Sequence, residues 1–412
     1  MRIHPFPALR PPTELAAEVA SVPYDVVNVD EARAIAEKSP NSFMHVIRPE
    51  VDLPLGTDSH DDQVYAQAKR AFADLQARGA LIREQHPCFY VYTQEAELNG
   101  TEVRQTGIVA CCHVGDYNAN KIKKHEKTRR DKEDDRTRHV LALRANAGPV
   151  FLTYRRDETV SELLRAAQRG EALYDFVADD DVRHVVHRVE DTAALASAFG
   201  AVELAYVADG HHRTASAARA GAALGEQNSD HTGEEEYNWF LSVLFAADEL
   251  HILPYHRLVR DLNGLTRDQF LDALSQVGNV EEVQVPLPRG RGCVGVYVSG
   301  QWFHLHIDPA SINMADAVDS LDYVLLYERV LAPILGIGDI RTDKRVDFVG
   351  GIRGVGVLAG RVDRGEAEVA FAMQATTMDQ LMGVADAGGI MPPKSTWFEP
   401  KLRSGLLVHT LD

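Results

Sequence analysis

The sequence predicts an α+β fold of mixed winding, and three observations carry that reading. Apolar runs face each other across Asn99-Gly100, and again across Ser299-Gly300, which is the local signature of antiparallel hairpins. Residues 60–78 have helical period and end on Gly79. The apolar run Leu204-Ala205-Tyr206-Val207-Ala208 reads as a buried strand and passes through Asp209-Gly210 into a small-residue helix. Strands that pair locally, with helices between them at irregular intervals, fit an α+β assembly better than regular βαβ winding.

The elements follow in order. In the helix at 60–78, Val64, Ala68, Ala71, Phe72 and Leu75 share one face. Residues 88–92 and 106–114 form the first hairpin around Asn99-Gly100. The 18 positions 121–138 carry nine Lys/Arg residues with the acids Glu126, Asp131, Glu133, Asp134 and Asp135 between them. On a helix that alternation is a solvated face held by i,i+4 pairs; the same basic side chains also attract phosphates. The stretch runs into Leu141-Ala142-Leu143-Arg144-Ala145-Asn146, which has helical period. Residues 226–236 are polar and read as an exposed loop, and residues 294–298 and 302–307 form the second hairpin. A boundary near 250–262 separates an N-terminal lobe, residues 1–250, holding a phosphate- or nucleotide-binding core, from a C-terminal lobe, residues 251–412, whose tail is free to return to the site.

Composition bounds the partners. A chain of 412 residues is too long for one compact core. Its formal net charge of -18 argues against a general nucleic-acid binder, so neither DNA nor RNA is expected. The N-terminus lacks a signal-peptide core and no run of about 18 apolar residues occurs, so no membrane partner and a cytoplasmic location are expected. Cys88, Cys111, Cys112 and Cys293 lack CxxC spacing, and two are adjacent in an apolar strand, which points to core packing rather than metal binding or disulfides. A homodimer is compatible with this composition.

Three stretches carry chemistry. In Asp209-Gly210-His211-His212-Arg213, Gly210 allows a sharp turn and places His211, His212 and Arg213 in the first turn of a helix, where N–H groups and the dipole favour an anion. Arg213 offers a fork that matches a phosphate, and Asp209 an oxygen suited to magnesium. In the second stretch, Glu126 is placed to hold magnesium or act as a base beside Lys127 and Arg136. In the tail, Pro392-Pro393-Lys394-Ser395-Thr396-Trp397-Phe398, prolines stiffen the backbone around an anion-binding Lys-Ser-Thr. The glycine-rich approach of a P-loop is absent there. Trp397 and Phe398 either close over a base or anchor the tail.

Together these stretches resemble a widespread prokaryotic family catalogued as domain of unknown function 1015. The resemblance rests on Tyr206-Val207-Ala208-Asp209-Gly210-His211-His212-Arg213, His125-Glu126-Lys127-Thr128 with Asp135-Arg136, and the tail from Pro392 to Lys401. It extends to Pro23-Tyr24-Asp25-Val26, Pro254-Tyr255-His256-Arg257 and Phe348-Val349-Gly350-Gly351. The Asp-Gly-His-His-Arg turn is also similar, more distantly, to the phosphate-binding motif of the ParB/sulfiredoxin-like fold, which includes free serine kinases and partition proteins that bind CTP. That likeness implies a ParB/sulfiredoxin-like core with added hairpins and a C-terminal α/β lobe. It implicates Asp209, His211, His212 and Arg213 at a transferred phosphate. Sulfiredoxin carries a cysteine within its motif, and this chain has none there, which argues against sulfinic-acid reduction.

Phosphoryl transfer needs neutralised phosphates, an in-line acceptor and a group that orients or deprotonates it. Arg213 and the helix N-terminus are expected to bind the phosphates, with His211 or His212 stabilising developing charge and Asp209 and Glu126 holding Mg²⁺. Asp25 is a base, an amine-binding carboxylate or a turn cap. Gly210, Thr214, Lys127, Arg136, Lys394, Ser395 and Thr396 complete the expected nucleotide contacts. The function that follows is a magnesium-dependent kinase of a free small molecule, using ATP or ADP, with L-serine as the acceptor implied by the distant resemblance. A phosphoserine phosphatase and a nucleotide-gated regulatory protein are the alternatives.

Overall fold

The computed structural model describes residues 1–412 and is an α+β protein. The chain divides into two units, Met1–Leu250 with Pro400–Asp412, and His251–Glu399. No helix is long and apolar enough to cross a membrane, and all four cysteines are buried and free.

The first unit is built on a nine-stranded mixed sheet. From one edge its strands are Ile122–Lys123, Ala205–Asp209, Val150–Tyr154, Trp239–Ala246, Thr101–His113, Phe89–Leu98, Arg183–Val189 and Tyr174–Val177, with Ile3–His4 also paired to Thr101–His113. Two neighbouring pairs run parallel: Ala205–Asp209 with Ile122–Lys123, and Trp239–Ala246 with Val150–Tyr154. Val91, Ile108, Leu152, Val207 and Leu244 form one core with Val160, Leu164 and Phe199 from the covering helices Glu158–Ala167 and Ala193–Ala201. A second core gathers Phe43, Met44 and Leu143 under the helix Asp62–Ala77, which contributes Ala68, Phe72 and Leu75.

The first hairpin turns through Asn99 and Gly100 at φ 52° and 79°, a pair of left-handed residues whose twist suits a two-residue connection. Its ladder continues beyond the apolar runs, because polar partners such as Arg104 and Glu95, 3.3 Å apart, pair across it. Residues 121–138 differ from the single charged helix their pattern suggests. Ile122 is fully buried in the edge strand, residues 124–129 have no regular structure, and the helix is Arg130–Leu143. Arg144, left-handed at φ 54°, ends it, so Ala145–Asn146 is a short strand and not a helical continuation. Much of the basic charge is spent on neighbours: Arg129 on Asp131, Arg136 on Asp135, Arg138 on Asp62, and Lys124 over the Tyr117 ring.

The second unit contains a six-stranded antiparallel sheet ordered Gly278–Glu282, Gln301–Ile307, Cys293–Val298, Val369–Ala372, Tyr255–Val259, Val346–Gly350. Val294, Val296, Leu305 and Phe371 point into a core with Phe270 and Leu274 of the helix Arg267–Ser275. The opposite face of the sheet packs Tyr297, Ala370 and Ala372 against Leu358 of the helix Gly356–Asp363. Ser299 and Gly300, at φ 50° and 83°, turn the second hairpin.

Candidate functional site

The site begins where the strand Ala205–Asp209 ends. Against Val150–Tyr154 the register slips between Val207 and Asp209, a local irregularity beside the turn. Gly210 is left-handed at φ 99°, a backbone conformation that favours glycine, and a Cβ there would press on the Arg213 side chain at 3.0 Å from Nε. The helix His211–Gln227 starts at once. The Thr214 hydroxyl is buried and donates to the Gly210 carbonyl at 3.0 Å, so it locks the first turn. The N–H groups of His211, His212 and Arg213 have no acceptor within the helix.

Parallel pairing brings the second stretch alongside. Ala205 is opposite Ile122 and Tyr206 opposite Lys123, so the chain leaving that edge strand travels with Val207–Asp209 and delivers His125 and Glu126 to the same end. The His125 and His211 rings meet edge to face, centroids 4.5 Å apart, and Glu126 Oε2 lies 3.6 Å from His211 Nδ1. Both rings are buried. Neither nitrogen of His125, nor Nε2 of His211, has a hydrogen-bond partner. Burial pushes the His125 ring down to about 4 against the pull of Asp209. Burial and then the neighbouring His125 drive His211 well below the imidazole range. Two neutral rings with unsatisfied nitrogens thus border the helix start.

Asp209 is the electrostatic centre. Lys401 Nζ donates to its Oδ2 at 2.9 Å, and Arg213 Nη2 lies 3.8 Å from Oδ1. Burial alone would raise this carboxyl, but Lys401 and Arg213 hold it far below the ordinary range. The tail carrying Lys401 is anchored by two fully buried glutamines: Gln94 Nε2 donates to the Lys401 carbonyl at 2.9 Å, and Gln105 Nε2 to the Pro400 carbonyl at 3.2 Å. Arg213 donates through Nη1 to the Pro149 carbonyl, while its Nε is buried without a partner.

Beside Arg213 lies a cavity of about 40 Å³, lined among others by Tyr24, Arg136, Gly148, Arg213, Ser216 and Ser404. That volume holds a few waters or a carboxylate group, not a nucleotide. The Arg136 guanidinium stacks 4.3 Å over the Tyr24 ring and pairs with Asp135 at 2.8 Å. Burial and Asp25 raise the Tyr24 hydroxyl, while Arg136 and Arg213 act against them. Arg48 holds the turn by donating to the Tyr24 and Val27 carbonyls, each at 2.7 Å. Asp25 is exposed on that turn. Burial lowers the His212 ring, with Asp25 opposing; its Nε2 accepts from the Arg129 N–H at 3.0 Å, which puts the ring proton on Nδ1.

With this geometry in hand, the family can be stated. The profile described as "Protein of unknown function (DUF1015)" matches residues 3–324. The chain belongs to this family. No curated protein matches it. Among solved structures it is similar to a conserved hypothetical protein from Pyrococcus furiosus, at 13% identity over 73% of this chain and 94% of that one, TM-score 0.37. A free serine kinase in complex with AMP aligns at 13% identity over 73% and 91%, TM-score 0.37. SbnI with a C-terminal truncation, from Staphylococcus aureus, aligns at 12% identity over 73% and 86%, TM-score 0.39.

In this DUF1015 member the expected residues fall into two groups. Asp209, Gly210, His211, Arg213 and Glu126 converge within the first unit, and His212 shares the helix start with Asp25 within electrostatic reach. Arg136 lines the cavity, and Lys127 is exposed on the loop after Glu126. Lys394, Ser395 and Thr396 belong to the second unit. There Lys394 Nζ lies 3.4 Å from the Tyr255 hydroxyl, and the Ser395 hydroxyl donates to the Pro392 carbonyl at 2.8 Å. Trp397 packs against Tyr255 at 5.1 Å in the same unit, and Phe398 is buried, an anchoring arrangement. Pattern reading passed over Lys401, His125 and Tyr24 as site residues. For His125 and Tyr24 the signal was a place beside Glu126 and Asp25; for Lys401 the sequence carried none, since Asp209 lies 192 residues away.

Proposed function

We propose that this chain is a phosphotransferase acting on a free small molecule, an ATP- or ADP-dependent kinase with L-serine as acceptor. One observation carries the reading. A helix N-terminus, the cations Arg213 and Lys401, and the unsatisfied nitrogens of two buried neutral histidines converge around Asp209. Serine itself rests on the likeness of Asp209-Gly210-His211-His212-Arg213 to the free serine kinase motif.

The chemistry divides among these residues. The first-turn N–H groups and Arg213 bind the donor phosphates, and Lys401 lies beside them to balance charge on the transferred group. Asp209 keeps both cations in place. Neutral His211 offers an N–H to the phosphoryl oxygens without adding a buried charge. The acceptor's carboxylate fits the small cavity by Arg136, Arg213 and Tyr24, which leaves its hydroxyl toward the helix start. Asp25 accepts the hydroxyl proton as oxygen attacks phosphorus; the new O–P bond forms as the bridging P–O bond breaks, and the nucleotide leaves with that electron pair.

Magnesium fits Glu126 better than Asp209. Asp209 already carries Lys401 at 2.9 Å and has Arg213 close by, whereas Glu126 is an acid about one-third exposed. Held by Glu126 and the donor phosphates, the ion would supply charge neutralisation.

Incubation with Mg²⁺, ATP or ADP and pooled amino acids, read by mass spectrometry, tests this reading. Phosphoserine formed with equal loss of nucleotide phosphate is expected. Phosphate release from phosphoserine alone would make the protein a phosphatase, and nucleotide binding without turnover would make it a regulatory protein.

A further inference from the structure

We infer that the second unit carries a transition-metal site of the zinc class, built from Cys293, His304 and His306. This assignment is independent of the phosphotransfer reading and reverses the packing role that spacing suggests for Cys293. One ligand atom from each residue lies within 4.8 Å of the others. Sheet geometry explains the convergence. His304 and His306 are two apart on the strand Gln301–Ile307, so both leave the same face, opposite the core residues Phe303, Leu305 and Ile307. Antiparallel register sets Cys293 directly across from His306 on one side, and Glu281 across from His304 on the other. Cross-strand partners share a face, so a thiol, two imidazoles and a carboxylate meet on one patch.

Three further features suit an ion. Position 295, across from His304, is glycine, and a Cβ there would lie 2.4 Å from the Pro286 carbonyl, so the backbone at Pro286 passes over the patch at close range. His304 Nε2 is buried with no hydrogen-bond partner, a polar atom the protein itself leaves unsatisfied. His306 Nε2 lies 3.2 Å from Glu281 Oε1, a carboxylate that orients the ring and leaves its other nitrogen to bind.

The donor set selects the metal. Thiolate and imidazole favour zinc-like ions over magnesium or calcium, and three protein ligands leave a fourth tetrahedral position to water. Zn–S near 2.3 Å and Zn–N near 2.0 Å put tetrahedral donors about 3.5 Å apart, so closing on the ion needs side-chain shifts of about 1 Å. Binding converts the Cys293 thiol to thiolate and releases its proton to solvent.

The test uses the full-length protein, stripped with chelator and titrated with Co²⁺. One equivalent should produce a thiolate-to-cobalt charge-transfer band in the near ultraviolet and intense tetrahedral bands in the visible, both displaced by Zn²⁺. Cys293→Ser should abolish the charge-transfer band. His306→Gln, at a side chain 41% exposed, should weaken cobalt binding at least about tenfold. Glu126→Gln should leave the spectrum unchanged, which separates this site from any ion held near Glu126. Absence of the charge-transfer band, its survival in Cys293→Ser, or unchanged affinity in His306→Gln would overturn the assignment.

Discussion

Asp209 faces Lys401 and Arg213 with a side chain still about one-quarter exposed, so the trio is neither a surface ion pair nor a fully buried one. Breaking a fully buried pair costs about 3–5 kcal/mol, and a surface pair is worth under about 1. Lys401→Met should therefore cost about 2 kcal/mol, measured as a shift in the denaturant midpoint, and lower phosphotransfer at least about 100-fold. Arg213→Ala should reduce turnover by about 10²–10³, the usual cost of removing one group that stabilises developing charge, and Asp209→Asn by a similar factor because it releases both cations, while the far-ultraviolet circular dichroism stays native. Either variant retaining full activity would displace the site. The stretch Asp209–Arg213 was legible because strand, glycine turn and helix start are contiguous. Lys401 was not, since 192 residues separate it from Asp209 and no local pattern encodes that distance.

At the scale of elements, the segment bearing Lys401 depends on a sheet. Gln105 Nε2 bridges Gln94 Oε1 at 2.9 Å and the Pro400 carbonyl, in a place where every side chain is buried. Gln105→Leu leaves those acceptors unpaired, which should cost about 1–3 kcal/mol. It should also impair turnover through Lys401 with the remaining site side chains unchanged. Thermal melts and a turnover assay together check this: a stability loss with native turnover would detach the glutamines from the site. Hairpins were readable because Asn99-Gly100 and Ser299-Gly300 supply two left-handed residues in succession, a demand few other pairs meet. The stretch 121–138 was read less well. Alternating charge does not distinguish a loop from a helix, and the burial of Ile122 and His125 that decides the matter comes from the neighbouring strand. Cys293, His304 and His306 escaped for a related reason: their proximity is a matter of strand register, which no spacing rule for contiguous ligands captures.

The whole molecule should be acid-labile, because both units bury neutral histidines. Burial, then Arg136, pushes His139 down to about 4; burial, then Arg403, takes His184 to about 2; burial, then Arg257, takes His256 to about 4. In the unfolded chain each binds a proton near pH 6.5, whereas the folded rings resist until about 4 or lower. The unfolded state therefore holds more protons between pH 6.5 and 4. Stability is intact above that window and falls as pH drops through it, by up to about 3 kcal/mol for His139 alone. The melting temperature should decline steeply from pH 6.5 to 4. His139→Gln, which can still donate to the Val46 carbonyl that His139 Nε2 contacts at 2.8 Å, should flatten that decline.

The division into units has a consequence for biosynthesis. His251–Glu399 is inserted in sequence between the two pieces of the first unit, and Pro400–Asp412 supplies Lys401 to Asp209. During translation Asp209 emerges 192 residues before Lys401, so while the intervening chain is made that carboxylate has Arg213 alone beside it. A nascent chain stalled before residue 400 should therefore fold its sheet yet lack Lys401, and with it the phosphate transfer proposed for this site.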